Sequence, residues 1–426
     1  MNIKLTDEVK YIIDTFEQNG CEAYAVGGCV RDSFLGIEPK DWDICTPALP
    51  EQTMKFFERH HIIETGLKHG TITLRVNHKP FEITTYRSDG VYTDNRRPDK
   101  VYFVGSLKDD LSRRDFTVNA MAYNPKVGLV DFFGGVNDLR SRIIRCVGDA
   151  DKRFHEDALR ITRALRFAAV LGFTIEKNTS DAIFRNKNLL KNIAVERIAV
   201  ELNKLLIGNE AFDILLKYKD VVAEFIPEIT DTYADLNLWR DILTGVIFVP
   251  ADVTLRLTML LKHMGSDTAQ VILKRLKYDR KTVESVKNLI LYCDSEVYPS
   301  EQNIKRWLNK IGEQRFRQLL EVMRAGKKTN IVNINNIVNI LNEIIESGQC
   351  FLLKDLAVSG RDLIDSGIIL SEGAEIGAVL KRLLDMTIDG ELENDKAKLL
   401  EAAVYITDFF VDHPDADASP LHGGEC

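Results

Sequence analysis

The feature of this chain that most restricts its fold is a change of pattern near Asp149. Before that residue, short stretches rich in β-branched and aromatic residues alternate with short amphipathic stretches, which indicates a small sheet covered by helices. The predicted strands are residues 22–26, 41–45, 71–76 and 80–87, and the predicted helices are residues 29–35 and 50–59. After it, apolar residues recur at intervals of three and four. We therefore predict an α+β N-terminal domain with a small mixed sheet, followed by an all-α region.

The chain is long enough for several domains, since it has 426 residues of which 45% are hydrophobic. We predict an α+β domain at residues 1–148. Three helical domains are predicted to follow at residues 149–225, 226–346 and 347–412. The polar residues 413–426 are predicted to be disordered.

Composition excludes some classes of protein. No stretch of about 18 apolar residues could span a membrane, and the N-terminus lacks the core of a secretion signal. The seven cysteines are scattered without a CxxC pair, which indicates reduced thiols in a cytoplasmic protein. The net charge is −8, yet residues 274–328 hold fourteen Lys/Arg against seven Asp/Glu, an excess of +7. That stretch fits contact with RNA, but on charge alone solvated helix faces are the favoured explanation.

The first chemical feature is the turn Ala25-Val-Gly-Gly-Cys-Val-Arg-Asp32, in which a predicted strand ends in two glycines and a helix begins. Backbone N–H groups at a helix N-terminus bind phosphate well, and glycine lets a ligand come close to the backbone. Two glycines after a strand are nevertheless most often only a tight turn. The turn alone is therefore a weak indication of a phosphate site.

Carboxylates follow this turn. Asp41 and Asp43 lie two apart in a predicted strand, so both side chains should point to one face, where a cation would relieve their repulsion. Carboxylate oxygens suit Mg²⁺. Glu82 is an acid in an otherwise apolar strand, and a metal would explain a buried carboxylate there. The alternatives are solvated acids at a strand end, and an ion pair of Glu82 with Arg75 or Arg87.

Taken together, these features resemble the nucleotidyltransferase superfamily of DNA polymerase beta, in which a diglycine turn precedes a carboxylate pair and a third acid. One branch is especially similar, the class II tRNA nucleotidyltransferases and bacterial poly(A) polymerases. The matching stretches occur in family order over roughly residues 20–205: GGCVRDSFLG, DWDICT, HGTITL, RRDFTVNAMAYN, DFFGG, EDALRITRALRFAA and ERIAVEL. The resemblance implies a DNA polymerase beta-like head domain, a helical neck that recognises the base, an RNA-binding body and a tail.

The resemblance also implies roles in binding the metals, the phosphates and the ribose. Asp41 and Asp43 would be catalytic and hold two Mg²⁺ ions with Glu82 as the third ligand, beside Gly27 and Gly28. Arg31 would contact phosphate, and Asp32 would be structural. Arg114 would bind phosphate while Asp115 accepts a hydrogen bond from the ribose, and Asn119 matches the same motif. Helix capping and surface ion pairing are the alternative for the run Arg113-Arg114-Asp115.

Recognition of the base is implied for the motif Glu156-Asp-Ala-Leu-Arg160. In the family, the residues matching Asp157 and Arg160 form a protein template that accepts C and A. Glu156 would orient Arg160, and Arg163 would contact the triphosphate. By spacing alone, Asp157 and Arg160 would be an ordinary ion pair on one helix. Arg197 and Glu201, four apart on a later helix, would brace the template helix.

The implied function is addition of C, C and A to the 3′ end of tRNA from CTP and ATP. An A-adding tRNA nucleotidyltransferase and a poly(A) polymerase share the same motifs and stay open as alternatives. The polar stretch Tyr92–Pro98 matches a loop that CC-adding enzymes lack, which argues against CC-only addition. A catalytically degenerate RNA-binding protein is the alternative from another class.

Overall fold

In the computed structural model, residues 3–89, 101–326, 331–369 and 373–412 are described. The chain forms two compact units, residues 1–283 and 284–426. The finer division into head, neck, body and tail stays a prediction. The predicted loop at Tyr92–Pro98 and the C-terminal stretch 413–426 lie outside the described residues.

Seven strands of the first unit form one sheet in the order β3-β4-β5-β2-β1-β8-β9, and four short strands form two small pairs. Within the large sheet, β2 and β5 run parallel and the other neighbours are antiparallel, so the predicted mixed sheet is confirmed. The strands are β1 Tyr24–Val26, β2 Asp43–Thr46, β3 His61–Ile63, β4 Thr71–Val76, β5 Lys79–Thr85, β6 Arg87–Asp89, β7 Val101–Phe103, β8 Met121–Asn124, β9 Gly128–Asp131, β10 Ile143–Ile144 and β11 Thr174–Ile175.

The rest of the described chain is mainly helical, as predicted for the region after Asp149. Only the two-residue strand β11 departs from that prediction; it pairs in parallel with β10. The helices are α1 Asp7–Gln18, α2 Gly28–Phe34, α3 Pro50–Phe56, α4 Leu107–Ser112, α5 Gly135–Ser141, α6 Ala150–Glu156, α7 Leu159–Leu171, α8 Lys177–Asn186, α9 Val195–Leu206, α10 Ala211–Lys217, α11 Lys219–Val222, α12 Thr230–Tyr233, α13 Leu236–Phe248, α14 Val253–Leu261, α15 Ser266–Arg275, α16 Arg280–Tyr292, α17 Glu301–Ile311, α18 Glu313–Ala325, α19 Ile331–Glu346, α20 Gly360–Asp365, α21 Ala374–Asp389 and α22 Lys396–Asp412.

Local sequence explains the hairpin of β4 and β5. Val76 pairs with Lys79 across the two-residue turn Asn77-His78, whose φ angles are 50° and 63°. Positive φ at both central residues gives the turn a twist that matches the strands. Along β5, Phe81 and Ile83 are buried, whereas Glu82 points to solvent. The hairpin therefore buries one face of the sheet and leaves the other open.

Beyond the sheet, α7 and α9 pack against each other within the first unit. Leu165 of α7 and Leu202 of α9 are both buried. Arg256 of α14, also buried, donates to the carbonyl oxygens of Leu206 and Gly208 at the end of α9. A guanidinium there satisfies carbonyl groups that a helix end leaves open.

The second unit has its own apolar core. Leu363, Val379, Leu383 and Leu399 are buried together in it. Trp307 of α17 and Phe316 of α18 lie stacked, with ring centroids 6.2 Å apart, and both are buried. No helix within the described ranges is long and apolar enough to cross a membrane.

Candidate active site

The diglycine turn lies where β1 ends. Gly27 has φ +83° and ψ −128°, and its N–H donates to the carbonyl of Met121 on β8 at 3.1 Å. A β-carbon on Gly27 would lie 2.9 Å from Nη1 of Arg114. The turn therefore needs glycine for its backbone angle and for the close approach of that guanidinium.

Asp43 and Glu82 are neighbours on adjacent strands. The parallel register of β2 and β5 places Asp43 opposite Glu82, and both side chains are exposed on the open face of the sheet. Among the described residues, no ion pair joins Glu82 to Arg75 or Arg87, so that alternative is not observed. The predicted burial of Glu82 is wrong, because β5 alternates and its even positions face solvent.

Asp41 lies outside the strand that was predicted to carry it. Strand β2 begins at Asp43, and the antiparallel register of β1 and β2 would place Gly28 opposite Asp41. Gly28 is already the first residue of α2, so the β1 side of the ladder has no partner for Asp41. Asp41 is an exposed residue two positions before β2, and its predicted alignment with Asp43 along one strand is corrected.

We call the end of the sheet at which β2 begins, where Asp43 and Glu82 lie, the sheet edge. Its electrostatics match those of a cation site. Although Asp43 reaches solvent, desolvation by the protein around its carboxyl raises its pKa, Arg114 opposes this, and Glu82 and Asp41 raise it further. In the part of the chain that the structure describes, no three His, Cys, Asp or Glu side chains form a group that could hold a metal ion. Mg²⁺ commonly uses one or two carboxylates and completes its shell with water and substrate phosphates. The pair Asp43 and Glu82 fits a divalent ion of that kind.

Behind the diglycine turn, buried side chains form a continuous hydrogen-bonded chain. Arg31 donates through Nη1 to Oδ1 of Asn119 at 2.5 Å and through Nε to Oδ1 of Asp32 at 2.8 Å. Asn119 donates to Oδ1 of Asp115 at 3.1 Å, and Oδ2 of Asp115 accepts from Arg163 at 2.5 and 2.9 Å. The predicted phosphate and ribose residues are thus brought together and already oriented.

Asp115 is held ionised in this network. Burial alone would raise its pKa, but Arg163 and Asn119 more than compensate and hold the pKa at about 2. Arg114 lies 3.5 Å from Oδ2 of the fully buried Asp110. Asp110 and Asp115 therefore each have an arginine within 3.5 Å, whereas Arg114 acts on Asp43 without offsetting the rise of its pKa.

Phe167 on α7 lies beside three arginines. The guanidinium carbons of Arg31, Arg163 and Arg166 are 5.1, 5.4 and 3.7 Å from the centre of its ring. Arg166 also lies 2.6 Å from Glu201 of α9. The negative face of an aromatic ring attracts such cations. Neither Arg166 nor Phe167 was a predicted site residue, and the recurrence of arginine along α7 was the available signal.

The predicted template residues lie at a corner between two helices, not on one helix. Helix α6 ends at Glu156 and α7 begins at Leu159. Asp157 lies in the break, and its Oδ1 accepts from the N–H of Leu159 at 3.1 Å. The single-helix geometry behind the predicted ion pair is therefore wrong, because Asp157 caps the first turn of α7.

Each of the two template residues has another charged partner. Arg160 is buried, with its Nη1 2.7 Å from Oε2 of Glu156. Asp157 accepts at Oδ2 from Arg197 of α9 at 3.0 Å. Through Arg197 and Glu201, α9 thus contacts both the corner and α7. This arrangement is consistent with the predicted bracing.

A diglycine turn beside exposed carboxylates, next to a corner of fixed hydrogen-bonding groups, suits a nucleoside triphosphate whose phosphates lie at the turn. The class of protein follows from this arrangement: it is a nucleotidyltransferase with an α+β head of the DNA polymerase beta-like kind, followed by a helical region.

Known proteins agree with this class. The family described as poly A polymerase head domain matches residues 23–145, and that described as tRNA nucleotidyltransferase domain 2 matches residues 250–403. The CCA-adding enzyme of Lactobacillus delbrueckii subsp. bulgaricus is 34% identical over 94% of this chain and 98% of its own length. That of Leuconostoc mesenteroides is 37% identical over 93% and 96%. The chain therefore belongs to the class II family of CCA-adding enzymes and bacterial poly(A) polymerases.

Solved structures show the same relationship. The crystal structure of the Bacillus stearothermophilus CCA-adding enzyme in complex with CTP is 31% identical, with a TM-score of 0.78 over 95% of this chain and 98% of that one. The Thermotoga maritima CCA-adding enzyme complexed with tRNA has a TM-score of 0.63 over 94% and 96%. At 21% identity, the second likeness shows the fold alone. Nucleotidyltransferases of this family use a divalent metal.

Proposed function

We propose that this protein adds C, C and A to the 3′ end of tRNA from CTP and ATP and releases pyrophosphate. The proposal rests on one observation: the Asp43–Glu82 carboxylate pair and the Asp157–Arg160 corner lie in the same compact unit. The first can hold the metal that nucleotide transfer needs, and the second can choose the base. Relatives named CCA-adding enzymes, aligned over almost the whole chain, support this choice.

Asp41 and Asp43 would hold two Mg²⁺ ions, with Glu82 as a further ligand. Bound there, the metal ions supply charge stabilisation and a lowered pKa of the attacking hydroxyl. Gly27 and Gly28 leave room for the triphosphate close to the backbone, and Arg31, Arg114 and Arg163 would balance its charge. The chain's own part is to hold these groups fixed before the nucleotide arrives.

Base choice would come from the corner. Asp157, held by Arg197, would accept a hydrogen bond from the amino group of C or A. Arg160, held by Glu156, would donate to the neighbouring ring nitrogen. U and G present a carbonyl oxygen to the carboxylate, and a repelled or unpaired group in a closed site is strongly penalised. Asp115, with Asn119 beside it, would accept from the ribose hydroxyl.

The basic stretch at residues 274–328 would contact the tRNA backbone, where phosphate contacts are insensitive to sequence and sensitive to salt. Two aromatic residues of this stretch, Trp307 and Phe316, are buried and stacked on each other in the second unit. Their rings are therefore not available to stack on RNA bases. We expect the protein to act in the cytoplasm.

The reaction is tested with a tRNA lacking its last three nucleotides, incubated with Mg²⁺ and CTP, ATP or both. We expect two added nucleotides with CTP, none with ATP and three with both, as read from product length on a gel. A chelator should abolish all addition. Addition of A alone to a tRNA that ends in CC, without C addition, would assign the A-adding activity instead.

Poly(A) polymerase is the second candidate, because the match to residues 23–145 carries that name. Long A tracts formed on RNA without a tRNA fold would assign it. Absence of any nucleotide addition, with RNA still bound, would leave the degenerate RNA-binding protein.

A further inference from the structure

Arg153, at the end of α6, contacts the same carboxylate as the template arginine. Its Nη1 lies 3.0 Å from Oε2 of Glu156, and Nη1 of Arg160 lies 2.7 Å from that same oxygen. The backbone carbonyl of Arg153 also accepts from Nη1 of Arg160 at 3.1 Å. Arg153 therefore restrains Arg160 twice, once through Glu156 and once through its own backbone.

Both guanidiniums also reach the end of α4. Arg153 donates to the carbonyl oxygen of Ser112 at 3.3 Å, and Arg160 donates through Nη2 to that of Arg113 at 2.8 Å. Carbonyl groups at a helix C-terminus lack partners within the helix and carry partial negative charge, so cations bind there. These two contacts tie the end of α4 to the corner between α6 and α7.

This cluster is largely withdrawn from solvent. The side chains of Arg153, Glu156 and Arg160 expose 12%, 15% and 10% of their surface. In such surroundings a charged group without its partner is costly, so the loss of one member displaces the others. Without Arg153, Glu156 would still contact Arg160, but the link from Glu156 through Arg153 to Ser112 would be gone, so Glu156 and Arg160 can shift together.

We infer that Arg153 is a positioning residue for base selection, acting through Glu156 and Arg160 without touching the base. The inference rests on the proposed function of Arg160. A hydrogen-bonding pair discriminates only while its donors and acceptors stay within about 0.5 Å of their places. Displacement of Arg160 weakens recognition of C and A, and it relaxes rejection of U and G.

The test compares Arg153→Ala and Arg153→Lys with Arg185→Ala as the matched control. Arg185 of α8 forms an arginine–carboxylate pair, 2.6 Å apart, with Asp151 of α6, the helix that also carries Arg153, but at a more exposed place. For each variant, kcat/KM is measured for CTP and UTP on tRNA lacking its last three nucleotides, and for ATP and GTP on tRNA ending in CC. Thermal melting is recorded beside it.

We expect the C-over-U and A-over-G ratios to fall about 10-fold in Arg153→Ala, since displacement by a fraction of an ångström has effects of this order. The contacts of the Arg153 side chain with Glu156 and Ser112 both come from its Nη1, so Arg153→Lys, which keeps a cation on a different side chain, should lower the ratios by less than Arg153→Ala. Arg185→Ala should keep the wild-type ratios. Added to Glu156→Gln, the Arg153→Ala change should have little further effect.

Equal loss of kcat/KM for all four nucleotides, with unchanged ratios, would overturn the inference and make Arg153 a phosphate contact or a structural residue. Should Arg153→Ala not fold, the ratios of Arg153→Lys decide alone. If the wild-type protein adds only A, the proposed CCA addition fails, but the A-over-G ratio on tRNA ending in CC still tests the role of Arg153. A failure of the proposed function is therefore distinguishable from a failure of this inference.

Discussion

The sheet edge and the α6–α7 corner belong to the same compact unit but differ in how their charges are balanced. At the edge, Asp43 and Glu82 stand opposite each other, exposed, and their mutual repulsion helps to raise the pKa of Asp43. At the corner, Glu156 and Asp157 each have a guanidinium within 3.0 Å. At the sheet edge, the nearby Arg114 does not offset the effects that raise the pKa of Asp43, whereas each acid of the corner is paired directly with an arginine.

This difference follows from what each region would bind. Two facing carboxylates favour the divalent cation that accompanies a nucleoside triphosphate, so the positions of the side chains at the edge become fixed only when that ligand binds. A reader of neutral bases must have its donors and acceptors fixed beforehand, because it has only hydrogen bonds to discriminate with. We therefore expect changes at the edge to affect turnover and changes at the corner to affect selection.

The largest effect should come from Asp43→Asn, which removes one charge of the pair and leaves its shape. Loss of metal binding costs several kcal/mol of transition-state stabilisation, so nucleotide addition should fall by about 1,000-fold or more. Binding of tRNA, measured by a gel shift, should persist. The control is Glu58→Gln, an exposed acid of the same domain. Activity near that of wild type would remove the metal proposal for the edge.

The corner should respond differently. In Asp157→Ala and Arg160→Ala, rejection of UTP and GTP should weaken by about 100-fold, because a lost hydrogen-bonding partner no longer penalises the wrong base. The measurement is kcat/KM for each of the four nucleotides. If both variants reject U and G as wild type does, the corner does not select the base and the contrast between the regions disappears.

A pH effect should separate Asp115 from the edge. Its pKa in the folded protein, about 2, lies below that of a free aspartate, so its contribution to stability is complete above about pH 4. That contribution, about 2 kcal/mol, is lost as the pH falls toward 2. The difference in unfolding free energy between wild type and Asp115→Asn should therefore shrink from pH 5 to pH 2.

Urea denaturation at several pH values measures this difference, with Asp14→Asn as the exposed control. A difference that stays constant over this range would show that Asp115 is not held ionised by Arg163 and Asn119.

The smallest effect is expected for Gly27→Ala. The added methyl group would meet Nη1 of Arg114 at 2.9 Å and force that guanidinium aside, so KM for the nucleotide should rise about 10-fold. Gly36→Ala is a matched control, since Gly36 also has positive φ, at +73°, with no heavy atom within 4 Å of the new carbon. Both variants should lose similar stability, about 1–3 kcal/mol from backbone strain. An equal change of KM in both would show that Arg114 does not serve the nucleotide.

Local pattern was enough to predict much of the head. The strand before Gly27, the helix after it, and the strands predicted at residues 71–76 and 80–87 all depend on glycine, residue type and alternation within a few residues. The all-helical remainder followed from periodicity in the same way. These features need no knowledge of which distant segments meet.

What sequence could not give was the meeting of distant segments. Asp43 and Glu82 face each other only because β2 and β5 are parallel neighbours, and nothing local identifies that pairing. The exposure of Glu82 depends on which face of β5 is covered. The break at Asp157 was available as a capping signal, since Asp commonly starts a helix, but spacing to Arg160 suggested a single helix instead. Arg153 and Asp110 have i,i+3 and i,i+4 partners in the sequence, yet only their burial distinguishes them from surface pairs.

The parallel pairing of β2 with β5 has a consequence for how this family can change. Side chains alternate along a strand, so sliding β5 by a single residue would present Phe81 or Ile83 to Asp43 and turn Glu82 into the core. One residue inserted or deleted inside that strand would therefore separate the two carboxylates and abolish activity while hardly altering the fold. Lengthening at the Asn77-His78 turn would leave the opposed acids in place. Variation in length among working relatives should collect at that turn and spare the strand beside it.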